Sequence, residues 1–142
     1  MAEEAIRVGF IGAGGNVRNR HIPGFRKAAG VELLGVVNRS RESSHQVAEQ
    51  FHIPRIYDTW QELLADEAIT AVCIGTWPYM HRPLTIAALE HGKHVLTEAR
   101  MASTAQEARD MLAASRRYPH LVCQLTPTST TYRIDRVLQR LI

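Results

Sequence analysis

The sequence predicts an α/β domain in which a doubly wound parallel sheet of about six strands carries helices on both faces. Three observations predict it. Short apolar runs alternate with stretches of helical period along the chain, a glycine cluster joins the first run to the first helical stretch, and Gly30 and Gly92 each stand between a helical stretch and the next apolar run. Length and composition agree with that class. The 142 residues, 45% hydrophobic, suit one domain, and a fold of this size buries roughly 70% of its unfolded surface.

Ile6 to Gly12 reads as a buried first strand, and Ile22 to Ala29 as a helix stopped by Gly30, a residue suited to the left-handed position past a helix end. Val31 to Asn38 is the second strand. Ser40 caps a helix from Arg41 to Phe51, where Val47, Ala48 and Phe51 share a face. Arg55 to Tyr57 forms a short third strand, and Thr59 with Glu62 makes a capping box before a helix ending near Asp66. Ala71 to Thr76 is the fourth strand. Leu84, Ala87, Ala88 and His91 then follow a helical period that closes at Gly92. His94 to Glu98 is the fifth strand, Ser103 with Gln106 caps a helix reaching about Tyr118, and Leu121 to Leu125 is the sixth strand. Six strands joined by five crossovers resemble a Rossmann domain. Past Leu125 the composition shifts to Thr, Pro and Ser, as in a loop, and Ile134, Val137, Leu138, Leu141 and Ile142 then make one apolar stripe.

Charge and cysteine usage narrow the partners. Seventeen Lys and Arg against fourteen Asp and Glu leave a net charge of +3, but the basic residues are dispersed and not interleaved with aromatics, which excludes a nucleic-acid partner. No run reaches the length of a membrane span, and the acidic start, Glu3 and Glu4, lacks the flank of a signal peptide, so a cytoplasmic location without membrane contact is expected. Cys73 and Cys123 sit in apolar runs and are expected as buried, reduced core residues. The histidines have no neighbours at ligand spacing, so no metal is expected.

The strongest chemical signal is Gly12-Ala13-Gly14-Gly15. Between a strand and a helix, missing side chains let the backbone approach a pyrophosphate, and the helix start offers free N–H groups and the positive end of its dipole. A plain turn is the alternative. Val17 occupies the position where the Gly-x-Gly-x-x-Gly pattern has its third small residue. At the end of the second strand, where an acidic residue meets the ribose of NAD, the chain reads Asn38-Arg39-Ser40. Asn38 removes the charge that would repel a 2′-phosphate, and Arg39 can stack on adenine or pair with that phosphate, which favours NADP over NAD. Asn16 and Ser40 flank the two turns and complete the expected cofactor contacts.

From Ile6 to Pro127 the sequence resembles the N-terminal half of the glucose–fructose oxidoreductase and inositol dehydrogenase (Gfo/Idh/MocA) family of NAD(P)-dependent enzymes. The stretches that carry the likeness are the glycine turn with His21-Ile22-Pro23, Ile53 to Asp58 leading to Leu63-Leu64, Gly75-Thr76 with His81-Arg82-Pro83, and Leu89-Glu90-His91-Gly92-Lys93-His94-Val95-Leu96. The resemblance implies a dinucleotide running over Gly12, Gly14 and Gly15, with Thr76 and His81 in a loop beside it and Glu98, the first residue of the family's Glu-Lys-Pro signature, joining Thr76 among the cofactor contacts. Four departures accompany it. Ala99 takes the lysine position, Arg100 takes the proline position, Trp77-Pro78 replaces the usual Pro-Asn pair, and the turn before His21 is one residue longer. Alanine cannot handle a proton, so His81 becomes the acid/base candidate beside Glu98.

The family continues into a second domain that supplies most of the substrate pocket. Residues 1–127 are therefore expected to be the NAD(P)-binding domain, and 128–142 a linker and the start of a C-terminal domain. The expected function is an NADP(H)-binding domain of an oxidoreductase acting on a sugar, polyol or related hydroxyl compound, inactive without its second domain, with a small-molecule substrate and further copies of itself (a homo-oligomer) as the candidate partners. The alternative, favoured by Ala99, is a non-catalytic dinucleotide-binding sensor or assembly module.

Overall fold

The structure is a computed structural model that describes residues 5–126. The apolar stripe from Ile134 to Ile142 lies outside those residues. Strands β1 (Ile6–Ile11), β2 (Val31–Val37), β3 (Arg55–Ile56), β4 (Ala71–Ile74), β5 (His94–Thr97) and β6 (Cys123–Leu125) alternate with helices α1 (Ile22–Lys27), α2 (Arg41–Phe51), α3 (Trp60–Ala65), α4 (Pro78–Glu90) and α5 (Ala105–Arg117). The strands form one sheet in the order β3-β2-β1-β4-β5-β6, and all five pairings are parallel. The order reverses between β1 and β4. At such a switch point the loops diverge and leave a crevice outside the carboxyl ends of the strands, where ligands of doubly wound sheets bind.

Two apolar layers sandwich the sheet. Ile11, Val37, Val72, Ile74 and Val95 point to the face covered by α3, α4 and α5, where they meet Leu63, Leu84, Leu89 and Ala114. Val8, Phe10, Val36 and Cys73 point to the other face and pack with Ile22, Val47 and Ala48 from α1 and α2. Burying both faces is what a parallel sheet requires.

Local chemistry explains the element boundaries. The Ser40 hydroxyl accepts from the Ser43 N–H at the start of α2, and the Thr59 hydroxyl accepts from the Glu62 N–H at the start of α3. Gly30 and Gly92 take φ of +73° and +70°, which side chains disfavour. The cap of α5 lies one residue later than the expected Ser103–Gln106 pair. Thr104 accepts from the Glu107 N–H at 3.1 Å, and the Glu107 carboxylate accepts from the Ser103 N–H at 2.7 Å. The carboxylate of Glu107 reaches back as a full acceptor. Cys73 is buried as expected, but Cys123 is only half-buried because β6 is an edge strand.

The stretch Gly92-Lys93-His94 is structural. The buried Lys93 ammonium donates to the Asp66 and Ile69 carbonyls at 2.9 and 2.8 Å, and the His94 Nδ1 accepts from the Val122 N–H at 2.9 Å. Burial lowers the Lys93 pKa, partly offset by Asp66 and Glu67. Beside it, Asp66 accepts from the Tyr57 hydroxyl at 2.5 Å and pairs with Arg55. The Tyr57 hydrogen bond, with the Ala68 N–H and Arg55, holds the Asp66 carboxyl down at about 2.

Candidate functional site

The chain leaves β1 through Gly12, whose φ is +80°. A Cβ there would stand 2.7 Å from the Thr76 methyl, and a Cβ on Gly75 would stand 2.2 Å from a Val17 methyl and 2.7 Å from the Gly12 carbonyl. These two glycines therefore let the loops after β1 and β4 touch. The contact also accounts for Val17, which is buried where the third small residue of the glycine pattern was expected, because Gly75 supplies the missing volume from the facing loop. Gly14 and Gly15 differ. A Cβ on Gly14 would meet only the Gly75 carbonyl, 4.0 Å away, and one on Gly15 would meet nothing within 4 Å. Their missing side chains leave open space at a helix start; the Gly14 N–H donates to the Gly12 carbonyl at 2.8 Å, so the N–H groups that follow it form the cradle suited to a diphosphate.

The longer turn before His21 is accommodated as a π-helical segment, Val17–His21, that runs into α1 with the Ile22 N–H donating to the Val17 carbonyl. Single π turns often sit at functional sites because they redirect one side chain. Here the π turn ends on His21, whose Nε2 contacts the Glu98 carboxylate. Asn16 gives no cap to the turn. Its Nδ2 donates instead to the same Glu98 oxygen at 2.5 Å. The first crossover thus holds the carboxylate at the end of β5, and His21, which the sequence offered only as part of the family likeness, joins the site beside Glu98.

Asn38 faces the glycine turn. Its Oδ1 accepts from the Ala13 N–H at 2.6 Å, while Nδ2 donates to the Ser43 hydroxyl and carbonyl at 2.9 and 3.2 Å. The carboxamide therefore ties the first turn to the β2–α2 corner. Arg41 is paired with Asp58, and Arg26 donates to the Phe51 carbonyl. Arg39 is exposed, without a hydrogen bond or ion pair among the described residues, and lines a cavity of about 270 Å³ with Gly12, Asn38, Thr76, Trp77 and Tyr79. Ser40, exposed beside it, has its hydroxyl in the α2 cap.

His81 is 1% exposed. Its Nδ1 lies 2.7 Å from the Arg100 carbonyl oxygen and its Nε2 3.0 Å from that of Thr76, so the ring joins the loops after β4 and β5 with both nitrogens occupied. Ala99 and Arg100 are exposed beyond Glu98. Among the described residues no group of three or more His, Cys, Asp and Glu can hold a metal ion, and no helix is long and apolar enough to cross a membrane.

A family model described as an oxidoreductase family with an NAD-binding Rossmann fold matches residues 6–125. A 1,5-anhydro-D-fructose reductase of Ensifer adhaerens is 34% identical over 110 residues, which are 78% of this chain and 33% of that protein. An NADP(+) scyllo-inositol 2-dehydrogenase of Bacillus subtilis is 27% identical over 111 residues, 78% of this chain and 34% of that one. The structure of a biliverdin reductase from Synechocystis, solved with biliverdin and NADP+, matches with a TM-score of 0.77 and 28% identity over 84% of this chain and 37% of that one. The chain thus spans about a third of the length of the curated relatives it matches.

Proposed function

This chain belongs to the Gfo/Idh/MocA oxidoreductase family with an NAD-binding Rossmann fold, and from that premise we propose that it binds NADP(H) in preference to NAD(H), as the cofactor domain of an enzyme acting on a sugar, polyol or related hydroxyl compound. The observation that carries the cofactor choice is Arg39. It is a guanidinium without a partner among the described residues, on the cavity beside Gly12, at a strand end that has no carboxylate. A 2′-phosphate offers that guanidinium a bidentate, charge-assisted contact. Two relatives that name NADP, the scyllo-inositol dehydrogenase and the biliverdin reductase, support the same reading. The sugar or polyol class is supported by the anhydrofructose reductase and the inositol dehydrogenase.

In this reading Gly12, Gly14, Gly15 and Asn16 receive the diphosphate, and Asn38, Arg39 and Ser40 form the adenosine corner. Thr76 borders the dinucleotide between them. Asn16 and His21 hold the Glu98 carboxylate toward the nicotinamide end. His81 keeps the Thr76 and Arg100 loops in register, so we assign it a positioning role in place of the acid/base role expected from sequence. The nicotinamide, when bound, supplies or accepts the hydride. In this reading the substrate floor comes from a further domain.

Calorimetric titration tests the proposal. A charge-assisted hydrogen bond contributes about 1.5–3 kcal/mol, so NADPH should bind roughly ten- to a hundredfold more tightly than NADH, and Arg39→Ala should erase the difference. Equal affinities for the wild-type chain would overturn the NADP assignment. Ala99, at the family's proton-handling position, favours a second reading as a non-catalytic dinucleotide-binding module. Hydride transfer to or from any sugar or polyol by the full-length protein would exclude that second reading.

A further inference from the structure

Trp77 and Tyr79 are 72% and 63% exposed at the junction of β4 and α4. Aromatic rings of this size contribute most when buried, and Trp77 has no local structural role that explains it. It occupies the N-cap of α4 with φ −69° and ψ 149° and makes no side-chain cap hydrogen bond, where Ser, Thr, Asp or Asn would stabilise the helix start. The indole stands instead on the wall of the Arg39 cavity, which Trp60 and Tyr79 also line. Three aromatic side chains and a guanidinium around one cleft make a surface suited to a planar base, because ring faces and a flat cation both attract π systems.

Position selects the base. The cavity is walled by Asn38 and Arg39 at the end of β2, whereas Glu98, which His21 contacts from the first crossover, lies at the end of β5, across the switch point. A dinucleotide laid over the glycine turn puts its adenosine on the β2 side. The volume of about 270 Å³ falls just below the roughly 300–1,000 Å³ of clefts that enclose whole ligands, so it suits part of a dinucleotide.

We propose that Trp77 and Tyr79 form the stacking platform for the purine base of the dinucleotide, with Arg39 on the same cavity. This assignment rests on the cofactor reading above, and it gives the Trp77-Pro78 departure from the family's Pro-Asn pair a specific role in affinity. Adenosine phosphates without a nicotinamide should occupy the same cavity.

The chain has two tryptophans, and both line this cavity, so intrinsic fluorescence reports on it alone. Adenosine 2′,5′-bisphosphate and NADP+ should both quench the emission, and nicotinamide mononucleotide should not. In a Trp60→Phe background, where Trp77 is the single emitter, the quenching should persist. Trp77→Ala should weaken NADP+ binding by about tenfold in calorimetry, Trp77→Phe should restore most of it, and Tyr79→Ala should cost less. The exposure of Trp77 leaves folding unthreatened, which the thermal midpoint of each variant verifies. If NADP+ binds the Trp77→Ala variant as tightly as the wild type, the platform is wrong and the cofactor reading stands. If the folded wild-type chain binds neither NADP+ nor NAD+, both fall together.

Discussion

The cavity beside the glycine turn and a groove on the sheet face differ in a way that shows what marks a site. The groove is larger, about 350 Å³, and lies on the α1 side of β1, β4, β5 and β6, with Ile6, Val8, Phe25, Ala71, Leu96 and Val122 among its walls. Its origin is topological. The crossovers through α1 and α2 cover β1 to β3 on that face, those through α3 to α5 lie on the other, and no described residue covers the rest. The smaller cavity lies at the switch point and gathers loop backbone, a guanidinium and aromatic faces. Volume and apolarity record where a sheet lacks cover. Convergent polar groups and loop backbone beside a glycine turn record where a ligand fits.

The largest expected effect separates the two directly. Gly15→Asp places a carboxylate in open space beside the turn, so the fold should survive while NADP+ affinity falls by about a hundredfold or more, from repulsion of the diphosphate. Val122→Asp, on the groove at a position 59% exposed, should leave affinity within about twofold. A comparable loss from both substitutions, read by calorimetry, would break the distinction.

A middle-sized effect concerns the glycines that serve packing. Gly75→Ala presses its methyl into Val17 and the Gly12 carbonyl, so it should destabilise the domain by about 1–3 kcal/mol. Adding Val17→Ala should recover part of that loss. Urea unfolding of the two single variants and the double variant measures the coupling, and strict additivity would contradict the contact.

The smallest effect lies near the amino ends of β4 and β5, at the opposite end of the strands from the glycine turn. The folded Asp66 pKa is lowered to about 2, first by the Tyr57 hydroxyl. The stability it contributes is therefore complete above the ordinary carboxylate pKa, near pH 4, and is lost as the pH falls toward 2. Asp66→Asn should show a flatter decline in stability over that window, with NADP+ affinity at neutral pH unchanged. An identical decline in the variant would remove Asp66 from the acid response.

The element order, the Ser40 and Thr59 caps, the glycine stops and the glycine turn were legible in the sequence, because each depends on residues a few positions apart. The π turn was visible only as one residue too many before His21. The stretch around Gly92-Lys93-His94, which carries the family likeness most specifically, turned out to hold the fold through the Asp66 and Ile69 carbonyls and the Val122 N–H, so a recognisable motif need not contain the chemistry. Tertiary structure alone decided that Gly75 makes room for Val17, that Asn38 turns inward to Ala13, that both nitrogens of His81 are occupied and that Glu98 is held by Asn16 and His21. Several of these contacts join loops that are far apart in the chain and meet because parallel strands deliver their carboxyl ends to one edge of the sheet. Local periodicity and turn chemistry do not encode that meeting. It follows from the strand order, which brings β1 between β2 and β4.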